Sequence, residues 1–188
     1  MALEHAILVS LSERPASGLE LAHRFDRSIG FFWSATHQQI YRVLGRMEAD
    51  GWVRSAAVEQ HGRPDKKVYK VTTAGRAELS AWLASPMPAE KFRSELAVRL
   101  RGASYGDRAA VLDTVRQQLA DHATRLDHYE RLCARDFPEP STLTDQQLDV
   151  YLVLRGGIRL ERFWVDWLTE YLDAHESPAR RTNQGQSR

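Results

Sequence analysis

Apolar residues keep helical spacing along this chain except once, between residues 52 and 71, where the pattern becomes strand-like. That single interruption constrains the fold more than any other feature, because helices on both sides must pack around whatever the strands form. Before it, Leu3, Ile7, Leu8 and Leu11 place a helix over residues 2–13, and the ERPASG stretch ends it. Ser17 can cap a second helix with Glu20 at the capping-box position, followed by Leu19, Leu21, Ala22 and Phe25. Gly30 should stop that helix, and Phe31, Phe32 and Trp33 are expected to be buried between helices. A third helix takes Ser34 or Thr36 as its N-cap and runs to about Asp50, with Ile40, Val43, Leu44 and Met47 on one face. Gly51 follows where a left-handed cap is needed.

Trp52, Val53, Ala57 and Val58 then read as one strand, and Val68, Tyr69 and Val71 as another. HGRPDKK between them is turn chemistry. Thr72 or Thr73 caps a fourth helix whose apolar face is Leu79, Trp82 and Leu83. Three helices, a hairpin and a helix within residues 1–85 are the order of a winged helix-turn-helix, and SPMP at 85–88 marks the expected domain boundary. The remainder, 86–176, reads as a helical dimerisation or effector domain. Its helices are expected over 90–101, over 107–135 up to FPEP, and over about 144–175 with an interruption at Gly156-Gly157. Those glycines permit either close packing or a bend. Residues 177–188 are polar and expected to be disordered. The fold class is therefore mainly α with a small β-hairpin.

Composition excludes several classes. The chain has 188 residues, 43% hydrophobic and 27% charged, and no apolar run of the about 18 residues a membrane helix requires. One cysteine, Cys133, rules out an internal disulfide and suits a reducing, cytoplasmic setting. His122 and His128 lie on different faces of their helix, and His37 and His61 have no cysteine partner, so no metal is expected. No nucleophile motif or phosphate loop is present, so neither catalysis nor a cofactor is expected. Net charge is +1, yet Ala35–Lys70 holds seven cations against four carboxylates. A local basic excess is what a nucleic-acid partner would need.

With Ile40 turned to the core, a step of 100° per residue puts Gln38 and Arg42 nearly opposite, flanked by Gln39, Tyr41 and Arg46. Glutamine can pair with adenine and arginine with guanine, while Tyr and Arg can also hold phosphates. Ala35, Gly45 and Ala49 let this face approach closely. Ser34 and Thr36 at the helix start complete the expected contact set, with Arg63, Lys66 and Lys67 projecting from the hairpin tip. The expected partner is double-stranded operator DNA. A winged helix docking a protein, with the helical arm as a dimerising stalk, is the alternative.

QIYRVLGRMEADGWV (39–53) followed by GRPDKKVYKVTTAGRAELSAWL (62–83) resembles the PadR family of transcriptional regulators. The match rests on Ile40, Tyr41, Leu44, Glu48, Gly51 and Val53, then Gly62, Arg63, Pro64, Tyr69, Thr72 and Gly75. Met47 and Trp52 depart from it conservatively, while Gly45 stands where the family often has a basic residue. The resemblance implies a repressor whose Tyr41 contacts the DNA backbone and whose wing lies along the minor groove. The long second domain looks like the phenolic-acid-responsive branch.

In the second half, Leu112, Val115, Leu119, His122, Leu126, Tyr129 and Cys133 recur at spacings of three and four. This stripe fits either an internal helix contact or a seam between two chains. The last helix adds Leu160, Phe163, Trp164, Trp167, Leu168 and Tyr171, and two or three helices cannot bury both stripes well. A homodimer is expected, with Leu112, Val115, Leu119, Leu126, Tyr129, Leu160, Trp164, Trp167 and Tyr171 at its interface. Two joined recognition helices would read half-sites about 34 Å apart. By the resemblance, Trp164, Trp167 and Tyr171 are also candidates to wall a site for a small aromatic effector.

Overall fold

The computed structural model describes residues 2–27, 35–58, 66–89 and 93–177, which divide into two compact units, Met1–Ala89 and Glu90–Arg188. Gly30, the Phe31–Trp33 aromatics, Ser34, the turn with Arg63, and residues 178–188 of the tail lie outside the described residues.

The first unit runs α1 (Ala2–Glu13), β1 (Ala16–Ser17), α2 (Gly18–Arg27), α3 (His37–Ala49), β2 (Val53–Val58), β3 (Lys66–Val71) and α4 (Thr73–Leu83). The starts of α2, α3 and α4 follow from a side chain that takes an orphan backbone donor. Ser17 Oγ accepts from the Glu20 N–H at 3.3 Å while the Glu20 carboxylate accepts from the Ser17 N–H at 2.8 Å. Thr72 Oγ1 accepts from the Gly75 N–H at 3.0 Å. Gly51 adopts φ +72°, so the chain leaves α3 in the left-handed conformation that a glycine takes without strain. Ile7, Leu8, Leu11, Ala16, Leu21, Phe25, Ile40, Leu44, Met47, Val53 and Tyr69 form one buried core from α1–α3 and the three strands, with Leu79 of α4 packed against it.

The sheet has three antiparallel strands in the order β1-β3-β2, one more than the expected hairpin. β1 is only Ala16 and Ser17, opposite Tyr69 and Val68, too short to display any alternation in sequence. β3 also begins earlier than expected. Lys66 and Lys67 therefore sit in the ladder opposite Val58 and Ala57 rather than at the tip. The expected apolar face of α4 is corrected too. Leu79 packs on the core, but Leu83 is 65% exposed and Trp82 stacks on the His5 ring at 4.4 Å. What fixes α4 against the sheet is Gly75: a Cβ there would lie 2.1 Å from the Trp52 carbonyl oxygen.

The second unit contains α5 (Glu95–Gly102), α6 (Arg108–Asp136) and α7 (Asp145–Glu176). Asp107 and Thr144 cap the two long helices. Contacts pair Arg116 with Glu176, His122 and Arg125 with Glu161, and Phe137 with Tyr151, so α6 and α7 run antiparallel. Leu100, Val115, Leu168 and Leu172 form the core between them, and Tyr171 donates its hydroxyl proton to the Leu100 carbonyl at 3.1 Å. The expected interruption at Gly156-Gly157 is absent: α7 continues through both, and Gly157 is buried while Gly156 is exposed.

Candidate nucleic-acid interface

α3 is held from both ends. Thr36 Oγ1 accepts from the Gln39 N–H at 3.2 Å and the Gln39 side chain accepts from the Thr36 N–H at 2.8 Å. Ile40, Val43, Leu44 and Met47 are buried on one side, and Gln38, Tyr41, Arg42, Gly45 and Arg46 are exposed on the other. The residues expected at DNA thus separate by what already occupies them. Thr36 and Gln39 are committed to the cap. Arg46 is paired with Glu4, a carboxylate only 5% exposed. Arg42 and Gln38 make no hydrogen bond or ion pair among the described residues. Tyr41 is half exposed and lies over the start of α2, where a Cβ on Gly18 would come within 2.3 Å of its ring. A Cβ on Gly45 would meet nothing within 4 Å beyond its own helix, so the surface beside Arg42 is open there.

The two wing lysines expected at DNA are balanced internally. Lys66 pairs with Glu20, and that bond, reinforced by the Ser17 N–H, draws the Glu20 carboxyl down to about 2. Lys67 Nζ meets Glu48 at 2.8 Å and sits 5.2 Å over the Tyr69 ring. The pairing with Lys67 and a second bond from Ser55 hold Glu48 below the ordinary carboxylate range and raise Lys67 correspondingly. Sequence spacing gave no sign of these partners, since Glu20 and Glu48 are 46 and 19 residues away from their lysines. No group of three or more metal-ligating side chains occurs among the described residues. Within them no helix is long and apolar enough to cross a membrane.

In the second unit, the α6 stripe is largely consumed inside the chain. Val115 and Tyr129, expected between chains, are buried against α7, while Leu112, Leu119 and Leu126 are half-buried. The aromatic candidates are also knitted into that packing. Trp164 stacks on His122 at 5.1 Å, and Tyr171 is bonded to Leu100. Trp167 alone of the three lines a surface groove, together with Arg159, Arg162, Phe163, Asp166 and Glu170. What remains open is a run along α7 that includes Leu148, Leu152, Leu160 and Phe163, each 39–55% exposed. Only Leu160 of these was singled out from sequence as an interface residue.

Residues 7–81 match the Transcriptional regulator PadR-like family, and residues 92–176 match the Virulence activator alpha C-term family. The chain is 53% identical over 184 residues to the "Probable transcriptional regulator Rv1176c" of Mycobacterium tuberculosis, covering 93% of this chain and 97% of that protein. It is 31% identical over 176 residues to the "Negative transcriptional regulator PadR" of Bacillus subtilis, covering 90% and 95%. The crystal structure of Bacillus subtilis PadR in complex with operator DNA superposes with a TM-score of 0.81 at 27% identity, covering 92% of this chain and 97% of that one. The same protein in complex with p-coumaric acid gives 0.74 at 27% identity, covering 94% and 100%.

Proposed function

The chain belongs to the PadR-like family of transcriptional regulators, and from that premise we propose that it binds operator DNA as a homodimer and represses transcription until an effector releases it. The observation that carries this reading is the placement of Arg42. It stands exposed and free of ion pairs among the described residues, on the side of a doubly capped helix opposite four buried anchors. A guanidinium so placed is available for a guanine edge or a phosphate, with Gln38 beside it for a base and Tyr41 for the backbone. Lys66, Lys67 and Arg63 give the wing its contact, the first two by exchanging their carboxylate partners for phosphates. The solved complex of Bacillus subtilis PadR with operator DNA supports operator DNA as the partner.

Repression is the sign favoured by the Bacillus subtilis relative, named a negative regulator. The effector is a small aromatic acid, by analogy with the p-coumaric acid complex of that relative. The dimer forms through the open apolar run on α7, with Trp167 at its edge. Residues 1–85 serve as the DNA-binding domain and 86–176 as the dimerisation and effector domain. The chain acts by binding rather than catalysis, in the cytoplasm where the chromosome lies. No observation favours the protein-docking alternative.

The test is a gel shift with genomic operator fragments, alongside sedimentation to follow the dimer. Arg42→Ala and Tyr41→Ala are each expected to weaken operator binding about 5–100-fold, the span of one lost base or phosphate contact, and to leave the dimer intact. Normal binding by both variants would overturn the assignment of α3.

A further inference from the structure

On the face of the sheet turned away from the core, the β2–β3 ladder sets Arg54 directly opposite Lys70. Both are exposed, while their neighbours Val53 and Tyr69 point inward and are buried. Like charges directly across a ladder repel. Neither cation has an ion-pair partner among the described residues. A third, Arg76, comes from the first turn of α4, where its guanidinium donates to the Val71 carbonyl at 3.3 Å and to Thr73 Oγ1 at 3.4 Å. All three line a cleft of about 550 Å³ inside the first unit. Among the described residues no carboxylate lines it, and the other polar side chains on its wall are those of Ser12, Thr72 and Thr73.

The two helix ends that border the cleft add to the same bias. α4 begins there, and its geometry leaves the first-turn N–H groups of Thr73 and Ala74 without intrahelical partners. α1 ends there, and its terminal carbonyls would oppose an anion. Arg24 takes up one of them, the Ser10 carbonyl at 3.0 Å, and also donates to the Arg14 and Pro15 carbonyls just beyond the helix at 2.7 and 3.1 Å. Leu11, Pro15 and Val71 provide apolar wall. The volume falls in the range that holds small organic molecules, about 300–1,000 Å³.

We propose that this cleft binds a small organic oxyanion carrying two or more negative charges. Its charged groups lie between Arg54, Lys70 and Arg76, and its body lies against Leu11, Pro15 and Val71. Phosphate esters and polycarboxylates share this chemistry. Occupation removes the repulsion across the ladder and so stabilises the hairpin that carries Lys66 and Lys67. The site is separate from α3 and does not depend on the operator reading.

The experiment is calorimetric titration and thermal unfolding of the full chain with phenyl phosphate, citrate and inorganic phosphate as probes. Saturable binding of phenyl phosphate or citrate is expected, at one site per chain and with a rising melting temperature. Whichever probe binds more tightly distinguishes ester from carboxylate. Arg54→Gln with Lys70→Gln is expected to weaken that probe at least 10-fold and, by relieving the repulsion, to leave the unliganded melting temperature equal or higher. The single Arg54→Gln variant should fall between. Arg42→Ala should leave probe binding unchanged. Absence of saturable binding, or equal binding by the double variant, overturns the proposal. Loss of operator binding in the double variant with no binding of either organic probe would make these cations a DNA-backbone contact and would likewise overturn it. A chain that binds the probe but no operator retains this site and loses the operator assignment.

Discussion

Arg42 and Arg46 are one helical turn apart on α3, yet their removal should be felt in different measurements. Arg46 neutralises a carboxylate that the first unit has buried, so Arg46→Ala strands Glu4. Leaving a buried acceptor unpaired costs about 1–3 kcal/mol, and more when it is charged. Arg46→Ala is therefore expected to lower the denaturation midpoint, whereas Arg42→Ala should leave it within about 0.5 kcal/mol, as for an ordinary surface change. Urea unfolding of the two variants distinguishes them; equal stabilities would mean that the Glu4 pairing contributes nothing. Glu20 offers a test by pH. Its carboxyl is drawn from 4.5 down to about 2 by Lys66, so folding favours its ionised form. That stabilisation is complete above pH 4.5 and fades as pH falls toward 2, because the unfolded chain then binds a proton the folded chain resists. Glu20→Gln should flatten part of the acid limb of a melting-temperature profile between those values and change little at pH 7 in its slope. An unaltered acid limb would show that the Lys66 bond is too solvated to matter.

At the scale of elements, backbone chemistry and periodicity carried the reading of α1, α3 and the two long helices. Thr36 and Gly51 sit where a cap must sit, and the four anchors of α3 recur at 3.6-residue spacing. Three features had no such signal. β1 is two residues long and exists because β3 needs a neighbour on its second side. The α6 stripe had two possible partners, another chain or α7, and only the packing of Val115 against Leu168 distinguishes them. The carboxylates that hold Lys66, Lys67 and Arg46 lie 19–46 residues away, beyond what spacing conveys. Arg42 was legible because opposition to buried residues on one helix is a local property. Gly75 belongs at this scale as well, since it decides how closely α4 approaches the sheet. Gly75→Ala drives a methyl into the Trp52 carbonyl and is expected to destabilise by about 1–3 kcal/mol, despite alanine's better helix propensity. A thermal melt showing a more stable variant would mean that the α4–sheet contact yields freely.

For the molecule as a whole, the open run on α7 would decide, in the proposed dimer, whether one copy of α3 or two reach an operator. Leu160 and Phe163 are each nearly half exposed in the single chain. Burying a large apolar side chain is worth roughly 1.5–3 kcal/mol, so a pair of such residues on each chain is a substantial part of a dimer's affinity. Phe163→Asp is expected to shift sedimentation toward monomer and to weaken operator binding more than it weakens folding. A variant that remains dimeric at micromolar concentration would move the interface elsewhere. The two-residue strand β1 has its own bearing on how such a regulator can be retuned. Because Ala16 and Ser17 pair with Tyr69 and Val68 on the side opposite β2, β3 is held in the sheet by two neighbours, and a change on the wing need not loosen its root.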